Sequence, residues 1–119
     1  MTADELKKRT KNFALRIIEI VELLPKGKTG EVIGRQLLRS GTSVGANYRS
    51  ACRARSSDDF ISKMTIVEEE ADESIYWMEL LIEGGLLGKQ QLNSHIIEAK
   101  ELLAITVSSI NTARKGRRS

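Results

Sequence analysis

The sequence predicts an all-α domain, an antiparallel up-down-up-down four-helix bundle. Three observations carry that prediction. Among 119 residues there is one Pro and there are nine Gly, too few turn residues for a β-sandwich. Apolar residues recur at helical spacing in four separate stretches. The breaks between those stretches are short, at Pro25 to Gly27, around Ser56 and at Gly84-Gly85, and short connections favour antiparallel neighbours. The length suits one domain, and 40% hydrophobic with 29% charged residues is the balance of a folded chain.

The first helix is expected from Ala3 to Leu24, with Leu6, Phe13, Ile17, Ile20, Val21 and Leu24 on one stripe. Thr2 or Asp4 caps its start, and Pro25 and Gly27 end it. The second is expected from Glu31 to Arg55, with Val32, Leu37, Val44 and Ala51 inward. Gly41 and Gly45 sit four apart in its middle and so share a face. Two Gly cost about 2 kcal/mol relative to Ala, but they would let another helix approach closely, so a single helix is predicted, with a kink near Gly41 as the alternative. The third starts at Ser56-Ser57-Asp58-Asp59, which supplies a cap and favourable charge for the first turn. Its stripe is Phe60, Met64, Val67, Ala71, Ile75, Met78 and Ile82, and it stops at Gly84-Gly85. The fourth runs from Lys89 to Ala113 on Leu92, Ile96, Ala99, Leu103, Thr106 and Ile110. Residues 1–113 thus form the bundle and residues 114–119 a frayed basic tail.

Composition removes several function classes. The lone Cys52 cannot build a disulfide framework and suits a reducing cytoplasm. No run of about 18 apolar residues exists to span a membrane, and the first residues lack a signal-peptide core. A di-iron bundle needs Glu-x-x-His pairs, but His95 is the one histidine and position 92 is Leu. Gly27-Lys28-Thr29 resembles the end of a phosphate-binding loop, yet position 22 is Glu and a helix precedes it. Cys52 reads as a small residue near a helix contact. No catalytic residue, metal site or cofactor is expected.

Charge is divided along the chain. Residues 1–56 carry twelve Lys and Arg against five Asp and Glu, a balance of +7. Residues 57–119 carry seven against eleven, a balance of −4. Arg35, Arg39, Arg49 and Arg53 fall within roughly 80° of arc on the second helix, a plausible phosphate track. The alternative partner for that stripe is the acidic edge of Glu68, Asp72, Glu79 and Glu83 on the third helix. Arg114, Lys115, Arg117 and Arg118 add a second basic cluster. Ser43 and Asn47 read as structural, with a buried Asn47 amide tying the second helix to a neighbour. Trp77 lies about 120° from the centre of the third helix's stripe, beside Leu80, and marks an oligomer contact or a covered helix seam. Leu15 and Ile18 also stand off the first stripe.

The stretch Leu37 to Ala51 carries a signature in Arg39, Ser43, Val44, Ala46, Asn47 and Ala51. With Ser57-Asp58-Asp59-Phe60-Ile61 and the run Glu69 to Leu81, it resembles the four-helix-bundle proteins encoded in intervening sequences of bacterial large-subunit rRNA genes. The resemblance spans about Leu6 to Thr112, and departs from many members at Ser50, where they carry an acid. It implies an antiparallel bundle assembling as a homopentamer, without enzymatic activity. A related branch, the accessory protein of diversity-generating retroelements, implies a basic surface for nucleic acid and for a reverse transcriptase. The expected function is therefore RNA or DNA binding through phosphates. The alternative is a scaffold that docks a partner protein such as a reverse transcriptase.

Overall fold

The computed structural model describes residues 1–118, with side chains through Gly116. Four helices follow one another: α1 (Ala3–Glu22), α2 (Lys28–Ala51), α3 (Ser57–Glu83) and α4 (Lys89–Arg118). They pack side by side in a body of 52 × 21 × 20 Å. Each is joined to the next along its length, and the ring closes by a much sparser seam between α1 and α4. The described residues include no strand.

The helix ends follow local chemistry. Thr2 forms a capping box with Glu5: its hydroxyl accepts from Glu5 N at 3.1 Å, and its N–H reaches the Glu5 carboxylate at 3.3 Å. Ser56 caps α3 by accepting from Asp59 N at 3.1 Å. α3 stops at Gly84-Gly85, where Gly85 takes φ 75° and Leu86 N donates to Leu81 O at 2.9 Å. That is a Schellman stop, which needs the left-handed conformation glycine permits. α2 begins three residues earlier than expected and ends at Ala51 rather than Arg55. α4 runs on to Arg118, so residues 114–118 prolong the helix instead of leaving it at Ala113.

α2 is one continuous helix across its glycines, and the close neighbour is α1. A Cβ on Gly41 would lie 2.9 Å from Ile17 Cγ1 and Cγ2, and one on Gly45 would lie 3.2 Å from Thr10 Oγ1. Phe13, Ile17, Leu37, Val44, Met64, Met78, Leu81 and Leu92 fill the interior. Each such residue contributes roughly 1.5–3 kcal/mol by leaving water. Ser40 and Ser74 are fully buried and share a hydrogen bond of 2.9 Å between α2 and α3. The carbonyls of Leu37 and Glu70 lie 3.3 and 2.9 Å from those hydroxyls, so both are satisfied.

Four core assignments change. Val32 is 54% exposed and does not face inward. Its place on the inner side of α2 is taken by Gly30 and Gly34, which carry no hydropathy signal. Phe60, Ile82 and Leu103 are only half-buried, while the adjacent Ile61, Leu81 and Leu102 are buried. A helix packed between two neighbours buries a wide arc, and its stripe drifts over seven turns.

Candidate nucleic-acid interface

The antiparallel path gathers sequence-distant cations at one end of the body. Arg9 of α1 meets Glu98 of α4, and Arg16 meets Ser94, which fixes the opposed direction of those two helices. The start of α1, the end of α2 and the end of α4 therefore lie together. They bring Lys7, Lys8, Arg9, Lys11, Arg49, Arg53, Arg114 and Lys115 to that end. The acids there are Asp4, Glu5, Asp58 and Asp59 in the first turns of α1 and α3, with Glu98 and Glu101 of α4 held on Arg9. The opposite end carries Glu19, Glu22, Glu79 and Glu83 together with Lys26, Lys28 and Lys89.

At the basic end an open groove of about 650 Å³ runs between α1 and α2. Lys7, Lys8 and Lys11 form one rim and Arg49 the other, with Asp4 the one acid in the lining. The floor is Ala14, Thr42, Gly45 and Ala46. It is shallow because small residues on both helices bring the backbones together and leave no long side chain over the seam. None of the four rim cations makes an ion pair among the described residues. Sequence patterning pointed to α2 and missed the three lysines. Their one sequence signal is Lys7, Lys11 and Ala14 at i, i+4 and i+7, on the shoulder of α1 that faces the glycines.

The arginine stripe of α2 does not act as one unit. Arg39 is tied to α3, with Glu70 at 3.1 Å and Glu73 on its other nitrogen. The expected acidic edge is not its partner: Glu68, Asp72, Glu79 and Glu83 form no ion pair among the described residues. Arg35 pairs with Glu31 at 3.1 Å one turn away, and lines a separate hollow with Lys26 and Leu38. Arg49 and Arg53 are exposed and unpaired among the described residues. Arg114 and Lys115 are exposed on α4. The side chains of Arg117 and Arg118 lie outside the described residues.

The polar motif of α2 turns inward on its own helix. Asn47 Nδ2 donates to Ser43 O at 2.8 Å, and Ser43 Oγ donates to Arg39 O at 2.6 Å. Asn47 is half-buried and among the described residues makes no side-chain hydrogen bond to a neighbouring helix; the polar tie from α2 to α3 is the Ser40–Ser74 contact. Trp77 is half-buried against the core, and its Nε1 donates to Glu73 at 3.1 Å. Leu80 is also half-buried. The residue that stands out is Tyr76, 53% exposed and edge-on to Trp77 with ring centroids 5.1 Å apart. Cys52 is exposed at the end of α2.

The α1–α4 seam is polar. Arg9 grips Glu98 through two bonds of 2.7 Å and reaches Glu101 at 3.0 Å. The Arg9 hydrogen bond holds the Glu98 carboxyl below its ordinary 4.5. Burial, with Arg16 beside it, holds His95 below its ordinary 6.5, against a smaller opposing pull from Glu19. Both shifts have the same sign for stability. The unfolded chain takes up each proton first on acidification, so stability is full above the unfolded value and is lost below it. Stability should therefore fall as pH drops through 6.5, and again below 4.5. Urea unfolding across that range checks this, and His95→Gln should remove the first step. A wild type that gains stability relative to His95→Gln on passing below 6.5 would contradict it.

Among the described residues no group of three or more His, Cys, Asp or Glu could hold a metal ion. No described helix is long and apolar enough to cross a membrane. No curated protein matches the sequence. A crystal structure from Bacteroides thetaiotaomicron, of a protein with unknown function from the S23 ribosomal protein family, is similar. It is 38% identical with a TM-score of 0.82, covering 87% of this chain and 96% of that one. The family model for the 23S rRNA-intervening sequence protein matches residues 4–108. With the signature on α2, the four antiparallel helices and these two similarities in agreement, the chain belongs to the 23S rRNA-intervening sequence protein family.

Proposed function

We infer that the protein is a non-enzymatic, oligomeric bundle of the cytoplasm that binds nucleic acid, RNA foremost, through phosphate contacts. One observation carries this reading. Lys7, Lys8 and Lys11 of α1 and Arg49 of α2 flank one groove at one end of the body, with Asp4 the one acid in its lining, and among the described residues none of the four cations forms an ion pair. Unpaired cations on a common face attract a polyanion and release its counterions on binding. The family's rRNA-gene setting makes RNA the first ligand to try. Binding of a structured RNA should be strong at low salt and fall steeply as salt rises, with little dependence on sequence. Fluorescence titration at two salt concentrations tests this, and affinity near millimolar at low salt would end it.

Assembly is part of the same reading. Tyr76, Ile66, Leu15 and Ile18 are exposed apolar residues, and the family resemblance sets the ring at five. A closed ring of five 13.3 kDa chains has a mass of about 67 kDa. Sedimentation equilibrium at micromolar concentration should return that mass, and a monomer would refute it. The second reading, a scaffold for a partner protein, is favoured by Tyr76 exposed on the acidic helix α3, away from the basic groove. A defined partner retained on the protein after nuclease treatment, and lost in Tyr76→Ala, would support it.

A further inference from the structure

The chemistry of the groove says which form of nucleic acid it suits. Its cations stand on two rims, with Lys7 and Lys11 about 6 Å apart along α1 at 1.5 Å per residue. Its floor offers nothing to read a base. Ala14, Gly45 and Ala46 carry no polar side chain, and the Thr42 hydroxyl donates to Leu38 O at 2.7 Å. No aromatic ring lines it. Phe13 and Tyr48 are buried, Phe60 lies half-buried at the start of α3, and Tyr76 and Trp77 stand on α3. Sequence-tolerant binding of single strands relies on stacking platforms. Sequence-specific binding relies on hydrogen bonds to base edges. The floor has neither; the charged side chains, Asp4, Lys7, Lys8, Lys11 and Arg49, stand on the rims, where the four cations meet a line of phosphates.

We propose that the α1–α2 groove seats the sugar–phosphate backbone of a nucleic-acid duplex and excludes base readout. The inference rests on the nucleic-acid reading above and adds the class of ligand and the place. Lys7, Lys8 and Lys11 neutralise phosphates of one strand, and Arg49 closes on the backbone from the opposite rim. The small floor lets that backbone lie close to the α2 main chain. A single strand would have to leave its bases unstacked in water, which the groove does nothing to offset.

The test compares a 20-base-pair RNA duplex, a duplex of scrambled sequence, and one strand alone chosen not to self-pair. Each is titrated with the full chain and with Lys7→Gln/Lys11→Gln/Arg49→Gln by fluorescence anisotropy at low and moderate salt. The duplex should bind the wild type at least about tenfold more tightly than the single strand, and the scrambled duplex should bind equally. The triple variant should lose at least about tenfold for the duplex, and its salt slope should flatten by about 2.7, or 0.9 per phosphate contact removed. Its melting midpoint and sedimentation mass should not change. A single strand that binds as well as the duplex, or a strong preference between duplex sequences, overturns the duplex assignment and leaves nucleic-acid binding standing. Undiminished duplex binding by the variant overturns the groove. Loss of assembly in the variant would make the groove a contact between copies, which also overturns it. Absence of binding by every probe at low salt removes both the inference and the reading it rests on.

Discussion

Reversing the rim of α1, with Lys7→Glu, Lys8→Glu and Lys11→Glu together, should weaken nucleic-acid binding by about a hundredfold or more near 100 mM salt. Each lost phosphate contact removes on the order of 1 kcal/mol, and three such losses correspond to about two powers of ten. Reversal also takes the chain's net charge from +3 to −3, which adds repulsion at long range. The fold should survive, because none of the three lysines makes an ion pair among the described residues and none belongs to the core. Arg39→Gln supplies the contrast. Its guanidinium is committed to Glu70 and Glu73, so affinity should stay within about twofold of wild type. Stability should fall by less than about 1 kcal/mol, because the Arg39 side chain is 46% exposed and solvent screens the pair. Anisotropy titration beside a melting curve separates the two variants. If Arg39→Gln harms binding as much as the lysine reversal, the phosphate track runs along α2 and not along the groove.

The helices and their order were legible in the sequence because breakers and caps act locally. Thr2, Ser56 and Gly84-Gly85 do in the structure what their chemistry implies in isolation. The inner face of α2 was less legible. Leu37, Val44 and Ala51 are buried as expected and Gly41 and Gly45 meet α1, but Gly30 and Gly34 carry no apolar side chain to mark the start of that face, and Val32, taken as inward, faces water. Partners across helices were the least legible, since they depend on register. Ser40 opposite Ser74 sets α2 against α3 so that Arg39 reaches Glu70 and Glu73. The acids Glu68, Asp72, Glu79 and Glu83 have the phase of an edge, but that edge turns away from α2. The basic groove is invisible for the same reason. It exists only once the glycines of α2 have met α1, and three of its four cations belong to a helix whose sequence reads as an ordinary amphipathic stripe.

Replacing Gly41 is the substitution in which local preference and packing oppose each other most directly. In a helix interior Gly→Ala is worth about 1 kcal/mol of added stability. At Gly41 the new Cβ would stand 2.9 Å from two carbons of Ile17 and 3.2 Å from a third. Ile17 is fully buried and β-branched, so it cannot rotate away without losing its own packing. Overpacking of this kind costs about 1–3 kcal/mol, so Gly41→Ala should be a net loss and Gly41→Val should lose about 3 kcal/mol. The bundle would respond by separating α1 from α2, which also widens the groove and should reduce nucleic-acid affinity. Ile17→Ala removes both carbons that clash, at its own cost of about 2–5 kcal/mol for the cavity. In the double variant the added side chain at position 41 fills part of that cavity. The pair should therefore be less destabilised than the sum of the two single changes by about 1 kcal/mol or more. Urea denaturation of the four proteins measures the cycle. A Gly41→Ala protein more stable than wild type would mean that α1 and α2 have room to part, and that the close approach shaping the groove floor is not a constraint on the fold.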